Sequence, residues 1–245
     1  RALTFCSGLY HVGAVLGPIT GGLVAERFGF QSIYKLAGII FVVSTLIVFL
    51  VKKDAENSPH EHPTSAPAGL LKNYRFLAFL VIAMLTYFAI YLPQPLTPNF
   101  LQNQHQFSPQ TIGVLGAVGS LGNAVITLAL GNLNASSGFI IGQFLVLLFS
   151  IFFLTGKTDL AFGIGYFLIG GYRLARSFVL AIARPMVDAR QIGLAYGMAE
   201  TTASIAVIAA PLLAGWLYDR DPFSIYRVSI VLIVIVIVMN IAVLI

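Results

Sequence analysis

The sequence predicts an all-α integral membrane protein, a bundle of about eight spanning helices. Three observations carry that reading. The 245-residue chain is 58% hydrophobic and only 9% charged, where soluble domains carry roughly a quarter charged residues. Its mean hydropathy is +0.90. Its apolar residues gather in continuous runs of the length that crosses a hydrocarbon core, about 20 residues. A membrane β-barrel would instead show alternation over stretches of about ten.

In chain order the runs are 5–24, 33–51, 76–96, 112–130, 138–154, 160–182, 192–217 and 226–245. In the first, Gly13, Gly17 and Gly21 fall four apart, with Gly22 beside them. On a helix the three share one face, and a bare face admits a second helix closely, as spans associate in lipid. Pro18 removes a backbone donor and bends the helix there. His11, mid-run, reads as a neutral histidine bonded to a neighbouring helix. After the second run, the segment 52–75 holds Lys52, Lys53, Asp54, Glu56, Glu61 and Lys72 with Pro59, Pro63 and Pro67. That is a solvated linker, and it divides the chain into two spans and then six. Its lysine density places it in the cytoplasm. His60-Glu61-His62 within it has metal-type residues at a spacing that makes no site.

The third run carries a polar face. Tyr87 and Tyr91 are four apart, Gln94 lies three further on, and Thr86 sits beside them. Pro93, Pro95 and Pro98 break this helix near its end and free backbone carbonyls, which a membrane tolerates where a cavity is lined. Tyr87, Tyr91 and Gln94 are therefore candidates for hydrogen bonding to a solute, and Tyr91 also suits an interfacial aromatic belt. The fourth run has Gly113, Gly116, Gly119 and Gly122, a smooth face for helix packing.

Charge inside a span is the sharpest functional signal in such a chain. Three residues show it: Arg173, Arg176 and Glu200. At roughly 1.5 Å per residue, Arg173 lies about 14 Å and Arg176 about 9 Å from the inner end of the sixth run, and Glu200 about 10 Å into the seventh from the same side. An unpaired ion in lipid is costly, so Glu200 is expected to pair with Arg176, with Arg173 as its second possible partner. Arg173, the deepest, is the first candidate to face a cavity; Arg176 alternatively snorkels to the surface.

The net charge of +5 comes from bases scattered between apolar runs, which makes no nucleic-acid patch and fits loop bias in a membrane protein. The single cysteine, Cys6, excludes an internal disulfide. There is no phosphate-binding Gly-x-x-x-x-Gly-Lys, no His-Glu-x-x-His and no Gly-x-Ser-x-Gly, so no enzyme, metal or cofactor is expected.

One unit is used twice. Ala210-Pro211-Leu212-Leu213-Ala214-Gly215 echoes Gly17-Pro18-Ile19-Thr20-Gly21-Gly22. Each copy meets an acid–base pair, Glu26-Arg27 and Asp219-Arg220, and then Ser32-Ile33-Tyr34-Lys35 or Ser224-Ile225-Tyr226-Arg227. The glycine–proline run ending one span, followed by Phe28-Gly29-Phe30 and another span, resembles the fifth and sixth helices of major facilitator superfamily transporters. Leu92-Pro93-xx-Leu96 and Ser108-Pro109-xx-Ile112-Gly113-Val114-Leu115 are similar to that family's seventh and eighth helices, and the run from Gly193 through Pro211, Gly215 and Asp219 to its eleventh. Where the family often has Gly-x-Leu-x-Asp-Arg-x-Gly, this chain has Gly131-Asn132-Leu133-Asn134-Ala135-Ser136-Ser137-Gly138, which lacks the acid and base of a charge latch.

The resemblance implies two parallel six-helix halves, of which residues 1–51 would be the last two helices of the first half, 52–75 the central cytoplasmic linker and 76–245 the second half. About eight helices of twelve would be present, the chain being a piece of a longer protein whose first four helices precede Arg1. It implies a secondary active transporter of a small solute working by alternating access, with proton-coupled efflux as the first expectation, solute uptake by a symporter or facilitator as the alternative, and a non-transporting membrane sensor or scaffold as the reading from a different class. The implied partners are a small-molecule solute, protons and the lipid bilayer, with no nucleic acid, and the implied place is the cell membrane, crossed many times. Gly13, Gly17, Pro18, Gly21, Gly22, Pro211 and Gly215 would form the close contacts on which the halves rock. Arg173, on the helix resembling the tenth, would line the central cavity.

Overall fold

The computed structural model describes the backbone of residues 2–50 and 68–244 and the side chains of 12–49 and 70–243. The linker residues 51–67, His60-Glu61-His62 among them, and the side chain of His11 lie outside the described residues. Every regular element described is helical: α1 (Ala2–Phe28), α2 (Phe30–Leu50), the short α3 (Ala68–Leu71), α4 (Tyr74–Tyr91), α5 (Thr97–His105), α6 (Pro109–Leu130), α7 (Ala135–Thr155), α8 (Asp159–Leu168), α9 (Gly170–Ala183), α10 (Ile192–Arg220) and α11 (Ser224–Leu244). Among the described residues, 7 helical stretches are long and apolar enough to cross a membrane: α2, α4, α6, α7, α8 with α9, α10 and α11. The 27 residues of α1 reach about 40 Å at 1.5 Å per residue.

The helices α4, α6, α7, α8–α9, α10 and α11 pack on one another, while α1 lies along α6 and carries α2 on its other side. Over 30–49, α2 buries none of its side chains, and Ile39, Ile40, Phe41 and Phe49 stay exposed on it, as suits a lipid-facing helix. In contrast, α10 buries one stripe of small residues, Ala195, Ala199, Ala203, Ala206, Ala210 and Ala214. These recur every three or four positions, so they share one face, and their size lets α4 approach the α10 backbone.

Local sequence explains where helices begin and end. Asn73 starts α4 by accepting from the Phe76 N–H at 3.1 Å, and Ser108 and Asn134 cap α6 and α7 in the same way, each answering an orphan donor of the first turn. The third span was expected to run to residue 96. It ends at Tyr91, because Pro93 and Pro95 cannot continue the backbone ladder.

The prolines leave carbonyls without their helical donors, and in a membrane each needs another. Pro93 deprives Ala89, whose carbonyl accepts instead from the Ser229 hydroxyl of α11 at 3.0 Å. Where the helix ends, the Ile90 carbonyl takes the Gln94 amide at 2.7 Å, and the Pro93 carbonyl takes the Thr97 hydroxyl at 2.6 Å. Pro18 deprives Ala14, and the Ser120 hydroxyl of α6 donates there at 2.7 Å. Pro18 and Pro93 thus each leave a carbonyl that a serine distant in sequence takes up from a neighbouring helix. Beyond the α4 break, α5 lays Phe100 over the end of the bundle, with ring centroids 4.9 Å from Tyr226 and 5.1 Å from Phe223.

The glycine faces are used differently from the expectation. A Cβ on Gly13, Gly17 or Gly21 would meet nothing within 4 Å, whereas one on Gly22 would stand 2.6 Å from the Pro109 carbonyl oxygen and 3.1 Å from Gly113 Cα. The face of α1 that touches α6 is therefore Ala14, Pro18 and Gly22, one residue round from the expected stripe. On α6 a repeat of three turns about 60° backwards at each step. Gly113 and Gly116 accordingly meet Pro18, while Gly119 and Gly122 meet the backbone of Tyr166 and Phe167. Gly22→Leu is expected to loosen α1 from α6 by about 1–3 kcal/mol through overpacking, and Gly13→Ala to leave the protein as stable or slightly more so. Thermal unfolding of the two variants in one detergent checks the pair; equal midpoints would reassign the contact.

Candidate functional site

The sixth span was expected to be one helix over 160–182. It is two, α8 and α9, joined at Ile169. No proline causes the break; a glycine pair does. A Cβ on Gly170 would stand 2.6 Å from Gly122 C and O of α6, and one on Gly171 would stand 2.5 Å from Gly142 O and 2.6 Å from Leu145 Cβ of α7. Four glycines on three helices thus meet backbone to backbone, and the chain turns there. Immediately beyond the turn α9 presents Tyr172, Arg173 and Arg176.

Arg176 Nη2 donates to Glu200 Oε2 across α9 and α10, the pairing expected from the cost of an isolated ion. The two side chains are 41% and 43% exposed, so both signs of charge are reachable from one side. Tyr172 stands one turn before Arg176 on the same helix. The ring of Tyr172 lies 5.6 Å from that of Tyr91 on α4. Tyr87, one turn earlier on α4, is 2% exposed and lies within electrostatic range of Arg176, Glu200 and Tyr172. The ion pair of α9 and α10 thus lies near Tyr172 of α9 and, through its ring contact, Tyr91 of α4.

Other candidates are placed elsewhere. Arg173 is exposed on α9, three residues before Arg176, and its carbonyl accepts from Ser177. Gln94 is engaged by the Ile90 carbonyl. Thr86 turns into the bundle, where Asn240 Nδ2 reaches it at 3.0 Å, Gln143 Oε1 at 3.2 Å and the Val236 carbonyl at 2.8 Å. This buried amide network joins α4, α7 and α11 behind the ion pair. Gly215 has open space around it, and Pro211 is half-buried. The sequence reading passed over Tyr172, Gln143 and Asn240. Their signal was available: each is a polar side chain within an apolar span, and Tyr172 stands one helical turn from an arginine already singled out.

The model of the Major Facilitator Superfamily matches this chain over residues 1–170 and again over 79–245. The chain belongs to the major facilitator superfamily. No curated protein matches it. Membership makes it a multi-pass membrane protein from a family of secondary transporters that carry small solutes.

Proposed function

We propose that this major facilitator superfamily chain moves a small solute by alternating access, as a proton-coupled exporter, and that Arg176, Glu200, Tyr87, Tyr91 and Tyr172 form its solute and proton site. The observation that supports this is the half-exposed Arg176–Glu200 pair, set on two helices and faced by tyrosines from α4 and α9. A proton on the Glu200 carboxylate and a solute group that donates to that same carboxylate, each displacing Arg176, compete for one partner. Proton and solute then exclude one another, which is the requirement for exchange. Arg173 lies one turn away on the exposed side of α9 and would meet a solute on its way to the pair.

On this reading α1 and α2 belong to one half and α4 to α11 to the other, the two rocking about the site. The Asn73 amide bonds the Met186 carbonyl at 2.8 Å, so the start of α4 and the α9–α10 turn share one end of the bundle. That end carries Lys72, Arg75, Arg184 and Arg190 and would be cytoplasmic by the positive-inside rule. Export is favoured by the glycine–proline run of α1.

The test is flux from proteoliposomes under an imposed pH gradient, screening solutes and recording internal pH. Wild-type protein is expected to move solute and protons in opposite directions. Glu200→Gln is expected to keep solute exchange while proton movement falls at least about tenfold, since an amide has no carboxyl proton to give or take. Unchanged proton coupling in Glu200→Gln would remove the role.

A further inference from the structure

At the end of the molecule away from Arg184, α1 closes on α6 through one side chain. The Glu26 carboxylate, in the last turn of α1, accepts from the Ser108 hydroxyl and from the Gln110 backbone N–H, both at 3.0 Å and both at Oε2. Ser108 is the cap of α6 and Pro109 its first residue. A carboxylate of one helix thus completes the first turn of another, where the unpaired N–H groups and the helix dipole favour negative charge. The contact is not a general consequence of the repeated acid–base pair. In the second copy Arg220 lies over the Trp216 ring at 3.7 Å and Arg227 bonds Asp221 at 2.8 Å, and Asp219 is exposed.

Below this carboxylate the α1–α6 seam is apolar and close. Gly22 meets Pro109 and Gly113, and Ala25 is 6% exposed. The seam flanks a cavity of about 360 Å³ that Gly22, Ala25, Pro109 and Gly113 help to line, with Phe30 of α2 and Pro98 of α5. At this end of the seam, among the described residues, the side-chain hydrogen-bonding contact between α1 and the start of α6 is that of Glu26. It is also a contact that can be broken cheaply, since water can replace both donors at an exposed position, whereas the glycine contacts beneath it gain nothing from water.

We propose that Glu26 is a gate latch: it holds α1 against the start of α6 when this end is closed, and it lets go in each cycle as the halves rock. The proposal rests on the alternating-access reading, but not on the identity of the solute or on the Arg176–Glu200 site. Glu26 acts by positioning α1 on α6 and touches no solute.

The experiment uses the full-length protein in proteoliposomes with Cys6→Ser and a reporter at Ala25→Cys. A membrane-impermeant maleimide reads how often the seam opens. Glu26→Ala is expected to raise the labelling rate about tenfold, Ser108→Ala to raise it less, and Glu26→Asp to return it towards wild type. Spin labels at Arg27→Cys and Gln104→Cys, both exposed positions, give a second reading in which Ala25 is intact. Two separations are expected with Glu26 in place, and a shift to the wider one in Glu26→Ala. Labelling and separation that are the same in Glu26→Ala as in wild type overturn the latch, as does a single separation in both. Neither readout needs a solute, so this failure is separate from loss of flux at Arg176, which bears on the site alone.

Discussion

Arg176→Ala is expected to lower solute flux by roughly a hundredfold, since truncating one member of a hydrogen-bonded charge pair costs a few kcal/mol. The physical cause is the partner left behind. Glu200 sits within a span, and a bare carboxylate at the centre of a membrane helix costs about 2.5–3.5 kcal/mol. Both side chains are about two-fifths exposed, so solvent takes up part of that, and the expected loss of folding stability is only about 1–2 kcal/mol. The double variant Arg176→Ala, Glu200→Ala separates the two meanings of the pair. Removing both charges removes the uncompensated ion, so the unfolding midpoint should return towards wild type. Flux should not return, because the groups that meet the solute are gone. Flux restored in the double variant would show that the pair is structural support, and wild-type flux in Arg176→Ala would remove it from transport altogether. Arg176→Lys adds a useful intermediate, since the guanidinium holds Glu200 with a planar fork that an ammonium lacks.

Gly171→Val is expected to yield little folded protein. Its Cβ alone would stand 2.5 Å from Gly142 O and 2.6 Å from Leu145 Cβ, where carbon contacts settle at about 3.5–4.0 Å. The carbonyl belongs to the α7 backbone and cannot swing aside as a side chain can. Relief requires α9 to move off α7, which would also pull Gly170 from Gly122 on α6 and displace Tyr172 and Arg176. Overpacking of this kind costs about 3 kcal/mol at its upper end. Yield of monodisperse protein and its unfolding midpoint check the prediction. Gly197→Ala on α10 is the control. Nothing lies within 4 Å of a Cβ there, and a helical alanine is favoured over glycine by about 1 kcal/mol, so that variant should be as stable as wild type or more so. Equal behaviour of the two would mean that the three-helix junction does not hold the break in place.

The sequence by itself determined the spans, because the cost of a polar residue in lipid is charged position by position and leaves runs that can be counted. It also put Arg176 first, with Arg173 second, as the partner of Glu200, and the structure has Arg176 there. Few charges stand inside spans, each needs an opposite, and helical rise places these two at one depth. The prolines marked the broken end of α4, since a missing N–H is a property of one residue. What a local pattern cannot contain is the rotation of a helix about its own axis. Gly13, Gly17 and Gly21 share a face by spacing, and so do Ala14, Pro18 and Gly22; only the surface of α6 decided between them. The same holds for the break at Ile169. Gly170 and Gly171 permit a continuous helix as readily as a bent one, until Gly122 and Gly142 arrive from helices far away in sequence. Ser120 and Ser229 became hydrogen-bond donors to proline-freed carbonyls only once α6 met α1 and α11 met α4, and Glu26 became a cap only when the start of α6 came within reach. Those choices are contacts between distant segments, and they exist only when the chain is packed.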